Sequence, residues 1–188
     1  MLLMMEQAVL MSLDRWANFY VIVGSSAGAL TGLQFVVITL VAQAQVSSSM
    51  REIRAFGTPN VVHFCSALMI SVLMNIPWLA LPQLAISLGA LSAAGFVYSL
   101  TVIRHAKKQT GYSPDAADLC WYVAIPVVSY VLVGVAAVLA WWNEGSSLFV
   151  IAGVSLLLLF TGIRNAWDTV TYVAVARSAN ARESGSRK

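Results

Sequence analysis

Residues 148–168 read LFVIAGVSLLLLFTGIRNAWD, and this stretch decides the class of fold. It contains no charged residue before Arg164, and its apolar positions do not alternate with polar ones. Because an α-helix rises about 1.5 Å per residue, roughly 20 apolar residues cross the hydrocarbon of a bilayer, which is about 30 Å thick. A strand of a membrane barrel would need apolar and polar positions in alternation. The stretch therefore predicts a helix that crosses a membrane.

Four further apolar runs of comparable length precede this one. We expect the spans at about 16–42, 59–80, 83–103, 119–142 and 148–168, and the last can continue as a helix to about 177. Helices satisfy their own backbone hydrogen bonds, which lipid cannot do. The sequence thus predicts an all-α integral membrane protein, a bundle of five transmembrane helices that forms a single membrane domain over residues 1–188.

Local signals refine this division. The prolines of segment 75–83 separate the second span from the third, because proline lacks an amide hydrogen and breaks a continuous helix. Thr58 is a candidate N-cap for the second span, with Pro59 at the first helical position. Pro126 lies inside the fourth span, where we expect a kink.

The composition excludes an ordinary soluble domain. Of the 188 residues, 59% are hydrophobic and only 10% are charged, and the mean hydropathy is +0.78. Soluble domains carry about 25% charged residues. The formal net charge of +3 does not indicate a nucleic-acid partner, because the cations cluster at the ends of the apolar runs and no motif for nucleic-acid binding is present.

The lysines and arginines predict the orientation. If the N-terminus lies outside the cell and the C-terminus inside, nine of the 11 cations fall on the inner side, as the positive-inside rule requires. These cations are Arg51, Arg54, Arg104, Lys107, Lys108, Arg177, Arg182, Arg187 and Lys188. We therefore expect a multi-pass protein of the cell (inner) membrane.

Polar residues of the first, second and fifth spans fall in the inner half of the predicted bilayer. They are Gln34, Asn60, His63, Arg164, Asn165 and Asp168. Since polar groups avoid lipid, their faces should turn toward one another. The hypothesis is a polar vestibule or gate that opens to the cytoplasm.

Two of these features have a structural and a functional interpretation. His63 can tie helices together through hydrogen bonds, or it can handle a proton or an ion, because imidazole titrates near neutral pH. Arg164 and Asp168 are four residues apart, so they share a helix face and can pair. That pair either locks the bundle and reaches the headgroups, or it takes part in function.

A glycine run in the first span predicts close helix packing. Gly24, Gly28 and Gly32 form the pattern G-x-x-x-G-x-x-x-G, which lets another helix approach closely. The partner helix can belong to the same bundle or to another subunit. The third span has a weaker pattern of the same kind, at Ala85, Gly89 and Ala93.

The sequence contains no Walker, H-E-x-x-H or G-x-S-x-G motif and no cluster of metal ligands. We therefore expect no catalytic residues, no metal and no cofactor. The lipid bilayer and further copies of the chain are the expected partners.

The first functional hypothesis is a homo-oligomeric channel or transporter for an ion or small solute. The alternative is a membrane modulator or sensor subunit that does not transport. A third is a membrane enzyme that acts on a lipid or quinone, with His63 or Asp168 as general base.

Overall fold

The computed structural model describes residues 2–43, 50–106, 119–142 and 146–186, and side chains within 13–39, 59–104, 119–142 and 146–171. The described chain is helical except for residues 76–80 and 142, and it contains no strand. The helices are α1 (Leu2–Gln43), α2 (Met50–Asn75), α3 (Leu81–Ala106), α4 (Ile125–Trp141) and α5 (Ser146–Ser186), with a π-helical turn at Cys120–Ala124 before α4.

Four helices are long and apolar enough to cross a membrane. These segments are Leu13–Thr39, Leu81–Arg104, Cys120–Trp141 and Ser146–Thr171. The second helix contributes a shorter apolar segment, Pro59–Asn75. The side chains of α2 are described from Pro59 onward. The prediction of an all-helical chain with membrane-length helices is confirmed for four of the five spans.

The second helix corrects the predicted boundaries. It begins at Met50, so Pro59 lies inside the helix and the predicted cap at Thr58 is wrong. It ends at Asn75 instead of continuing to about residue 80. There the indole nitrogen of Trp78 donates a hydrogen bond to the Leu73 carbonyl at 2.7 Å, which satisfies a carbonyl of the last helical turn. The predicted break between the second and third spans is confirmed.

The helix that contains Pro126 adjusts in the turn before the proline. Within the π-helical turn, the amide of Ile125 donates to the carbonyl of Cys120, five residues earlier instead of four. A proline ring crowds the carbonyl four residues before it, and a π turn widens the backbone there. The Ser113–Asp115 segment that should precede this span lies outside the described residues.

The end of the fifth helix differs most from the predicted bounds. It continues to Ser186, beyond the expected end at 168 and the helical extension to about 177. It is also the central helix of the bundle, since it packs against α1, α2 and α4, while α3 packs mainly on α4. The order across the bundle is therefore α1, α2, α5, α4, α3.

Close contacts show that α3 and α4 run in opposite directions. Ser92 lies against Gly134, while Gly95 lies against Tyr130. Position numbers thus rise along α3 as they fall along α4. The short connection between α4 and α5 makes these neighbours antiparallel as well.

Candidate functional site

Two buried carboxamides have no hydrogen-bond partner among the described residues. Asn60 on α2 and Asn165 on α5 are each 0% exposed. Neither the oxygen nor the nitrogen of either amide has a partner within the described residues. Leaving a buried polar group unpaired costs about 1–3 kcal/mol. Such groups in a native structure point to a use other than stability.

An aromatic contact brings the starts of the α1 and α5 spans together. Trp16 meets Phe149 edge to face, with the ring centroids 4.9 Å apart. Short connections make α1 antiparallel to α2, α2 to α3 and α4 to α5. Because α3 and α4 are also antiparallel, α1 and α5 run in the same direction.

The second helix runs against both of them. A Cβ atom added at Gly24 would lie 2.9 Å from Cβ of Ser71, and one added at Gly162 would lie 2.5 Å from the Phe64 ring. Gly162 is farther from Phe149 along α5 than Gly24 is from Trp16 along α1. Gly162 therefore lies farther from the aromatic contact between these two rings. From Ser71 to Phe64 the numbering of α2 falls, so α2 is antiparallel to α5.

This arrangement places the two asparagines at the same height. Asn60 lies one turn before Phe64 and therefore on the same face of α2. Asn165 lies one turn after Gly162, again on the face that meets Phe64. Since α2 and α5 are antiparallel, both steps lead toward the same end of the bundle.

A third carboxamide, that of Gln34 on α1, lies at the same height in the bundle. Gln34 is 3% exposed. It lies ten residues beyond Gly24, about 15 Å along the axis, while Asn60 lies eleven residues before Ser71. Because Gly24 and Ser71 are in contact, Gln34 and Asn60 lie at similar heights. We call Gln34, Asn60 and Asn165 the carboxamide layer.

His63 belongs to a hydrogen-bonded group next to this layer. Its Nδ1 atom lies 3.4 Å from the Tyr130 hydroxyl, and that hydroxyl lies 2.9 Å from the Ser66 hydroxyl. Ser66 in turn donates to the backbone carbonyl of Val62 at 2.8 Å. The group joins α2 to α4. These contacts are of the kind that the structural interpretation of His63 describes.

The hydrogen bond from Ser66 to Val62 predicts the histidine tautomer. When the single hydroxyl hydrogen of Ser66 goes to the Val62 carbonyl, Tyr130 is the donor to Ser66. Tyr130 can then only accept from His63, whose Nδ1 must carry a hydrogen. In the neutral ring, Nε2 is left as an acceptor.

Tyr130 is held in place from the other side by α3. A Cβ atom at Gly95 would overlap the Tyr130 ring. The Ser92 hydroxyl donates to the Tyr130 carbonyl at 2.7 Å. The tyrosine is 0% exposed, and it connects α2, α3 and α4.

The charged pair lies apart from the carboxamide layer. Arg164 and Asp168 form the ion pair that their spacing predicts, and each side chain is 37% exposed. The Arg164 guanidinium carbon also lies 5.6 Å from the ring centroid of Trp121, in the π turn. Arg164 therefore points toward α4, whereas its neighbour Asn165 is buried.

The six predicted polar candidates thus divide into two groups. Gln34, Asn60, His63 and Asn165 are buried inside the bundle, and Arg164 and Asp168 are partly exposed. The four buried side chains are between 0% and 3% exposed.

Only part of the glycine run contacts another helix among the described residues. Gly24 meets Ser71, but no described atom lies within 4 Å of a Cβ atom added at Gly28 or Gly32. On α3, Ala85 is buried, while Gly89 has open space and Ala93 is exposed. The α3 face that meets α4 instead carries Ser92 and Gly95.

Sequence reasoning missed Tyr130, Ser66 and Trp121 as parts of these clusters. Tyr130 lies in the middle of an apolar span, where no water can bond its hydroxyl group. The sequence could therefore have predicted that this hydroxyl bonds another side chain. Within the described side chains, no group of three or more His, Cys, Asp or Glu residues could hold a metal ion.

No family model, curated protein or solved structure gives a significant match to this chain. The geometry described above is therefore the basis for a functional proposal.

Proposed function

We propose that this chain is a homo-oligomeric channel or transporter for an ion or small solute. The observation that carries the proposal is the carboxamide layer, in which the amides of Asn60 and Asn165 are fully buried and have no partner within the described chain. Hydrogen-bonding groups kept unpaired inside an apolar bundle are suited to a polar solute that enters and leaves.

The closed state of the layer favours a transporter over a permanently open pore. Asn60 and Asn165 are 0% exposed and Gln34 is 3% exposed. A solute can reach them only if helices move apart. The two asparagines lie on facing helices near the inner ends of the predicted spans 59–80 and 148–168.

The proposal includes five crossings, with the N-terminus outside and the C-terminus inside the cell (inner) membrane. The 26 residues of α2 extend about 39 Å, which is long enough to cross, although its apolar part is shorter. Alternating helix directions bring the C-terminal ends of α1, α3 and α5 to one end of the bundle. Arg104 at the end of α3 is exposed there, in agreement with a cationic inner face.

Self-association is supported by the unused part of the glycine run. Gly28 and Gly32 present open backbone on α1, so a helix of a second copy could approach closely there.

Flux measurements on reconstituted liposomes test the proposal. We expect passage of at least one ion or small solute above the rate of empty liposomes, and loss of that flux in Asn60→Leu and Asn165→Leu. Asn75→Leu is the matched control, because Asn75 is exposed at the far end of α2. Absence of flux for every ion and small solute would instead favour the modulator or sensor subunit.

A further inference from the structure

We propose that the carboxamide layer binds an uncharged polar solute that carries a hydrogen-bond donor and an acceptor on neighbouring atoms, as a primary amide or urea does. This inference rests on the proposed transport function and names the chemical class of its solute.

The first argument is the charge around the layer. Among the described side chains between residues 16 and 103 and between 119 and 171, only Arg164 and Asp168 are charged, and they pair with each other. Arg164 also lies over Trp121, on the side of α4. An ion that reached the layer would exchange its water shell for a few neutral dipoles, which is unfavourable in an apolar surrounding.

The second argument is the balance of donors and acceptors. Each carboxamide offers one oxygen acceptor and two N–H donors. A urea molecule offers the same types of group, so it can pair an N–H and its carbonyl oxygen with an amide on either side. The four unpaired atoms belong to Asn60 and Asn165, which come from facing helices at the same height.

A competing explanation is that Asn60 and Asn165 bond to each other and only tie α2 to α5. The two explanations differ in what replacement by leucine does. A structural bond would be lost and the bundle would become less stable. A solute site would lose its function, while removal of unpaired polar atoms would leave the bundle at least as stable.

The experiment uses the full chain in liposomes, with urea as the probe and stopped-flow light scattering as the readout. Potassium and chloride fluxes are measured on the same preparation. We expect urea entry several-fold faster than in empty liposomes, and ion fluxes equal to those of empty liposomes. Asn60→Leu and Asn165→Leu should reduce urea entry to the rate of empty liposomes, while Asn75→Leu should keep it.

Each other outcome has a definite meaning. Potassium or chloride flux without urea flux overturns the assignment of an uncharged solute and leaves the transport function standing. Urea flux that persists in both leucine variants overturns the placement of the site. Absence of all three fluxes overturns the inference, whereas the proposed function fails only when every other ion and small solute is also retained.

A second substitution keeps the test valid if a leucine variant does not fold. Asn60→Asp preserves the shape of the side chain, and because a charge is unfavourable at this buried position its carboxyl group stays protonated and offers one O–H donor in place of two N–H donors. We expect it to fold and to lose most of the urea flux. Wild-type urea flux in Asn60→Asp would contradict a donor role for this amide.

Discussion

The ring of Tyr130 on α4 occupies the space that a side chain at position 95 of α3 would need, so Gly95 is the point of closest approach between these helices. The same tyrosine reaches Ser66 of α2 with its hydroxyl group. One residue thereby fixes the positions of three helices.

This contact predicts a large difference between two glycines of α3. Gly95→Ala should lower the free energy of unfolding by about 1–3 kcal/mol or more, because the added methyl group overlaps the Tyr130 ring. Gly89→Ala is the matched control, since nothing lies within 4 Å of its added Cβ atom. Alanine favours helix over glycine by up to about 1 kcal/mol, so the control should be neutral or stabilising. Unfolding in detergent micelles measures both, and equal effects would contradict the packing.

Removal of a tyrosine hydroxyl should have opposite effects at two buried positions. Tyr130→Phe loses the contacts to His63 and Ser66, and we expect a loss of about 0.5–1.5 kcal/mol in unfolding free energy. Tyr20 is equally buried, but its hydroxyl has no partner among the described residues, so Tyr20→Phe should be neutral or stabilising. Greater destabilisation by Tyr20→Phe would contradict the assigned hydrogen bonds.

The same hydrogen-bonded group predicts the tautomer of His63. Nitrogen NMR of the labelled chain should show a protonated Nδ1 in the wild type. In Tyr130→Phe this preference should weaken, because the acceptor for that hydrogen is gone. A wild-type ring with its hydrogen on Nε2 alone would contradict the donor order.

The Arg164–Asp168 pair should contribute little to either stability or flux. Both side chains are partly exposed, so Asp168→Asn should cost about 0.2–1 kcal/mol. Exchange of the two residues in the double variant Arg164→Asp, Asp168→Arg should recover most of that loss. Urea flux should stay at the wild-type rate in Asp168→Asn. Loss of flux there would place the ion pair in the solute path.

The unused glycines predict where copies of the chain meet. Gly28→Leu and Gly32→Leu should reduce the oligomer to smaller species, because leucine prevents close helix approach, and stability of the single chain should change little. Chemical cross-linking in membranes and size-exclusion chromatography in mild detergent measure the oligomer. An unchanged oligomer in both variants would exclude this face.

The apolar runs were sufficient to predict the helical class and four helices of membrane length, because a bilayer requires long apolar segments with internal hydrogen bonds. The predicted start of α2 was wrong because of how Pro59 was interpreted. Pro59 resembles a first helical residue, yet a helix can continue through proline with the loss of one hydrogen bond.

Among the polar candidates that the sequence singled out, Asn60, His63 and Asn165 are buried in the bundle. The sequence did not predict which residues these side chains contact. Arg164 and Asn165 lie about 100° apart on the same helix, so one can be buried while the other reaches Trp121. The Tyr130 contacts depend on α2 and α4 being brought together on either side of α5, which is a non-sequential arrangement that periodicity does not encode.

The most direct test of the account measures the stability and urea permeability of Asn60→Leu and Asn165→Leu in the same preparation. Their amides are buried and have no partner among the described residues, so we predict an unfolding free energy equal to the wild type or higher by up to about 3 kcal/mol. We also predict that urea permeability falls to that of empty liposomes. Variants that are less stable than the wild type and keep its permeability would contradict the central claim.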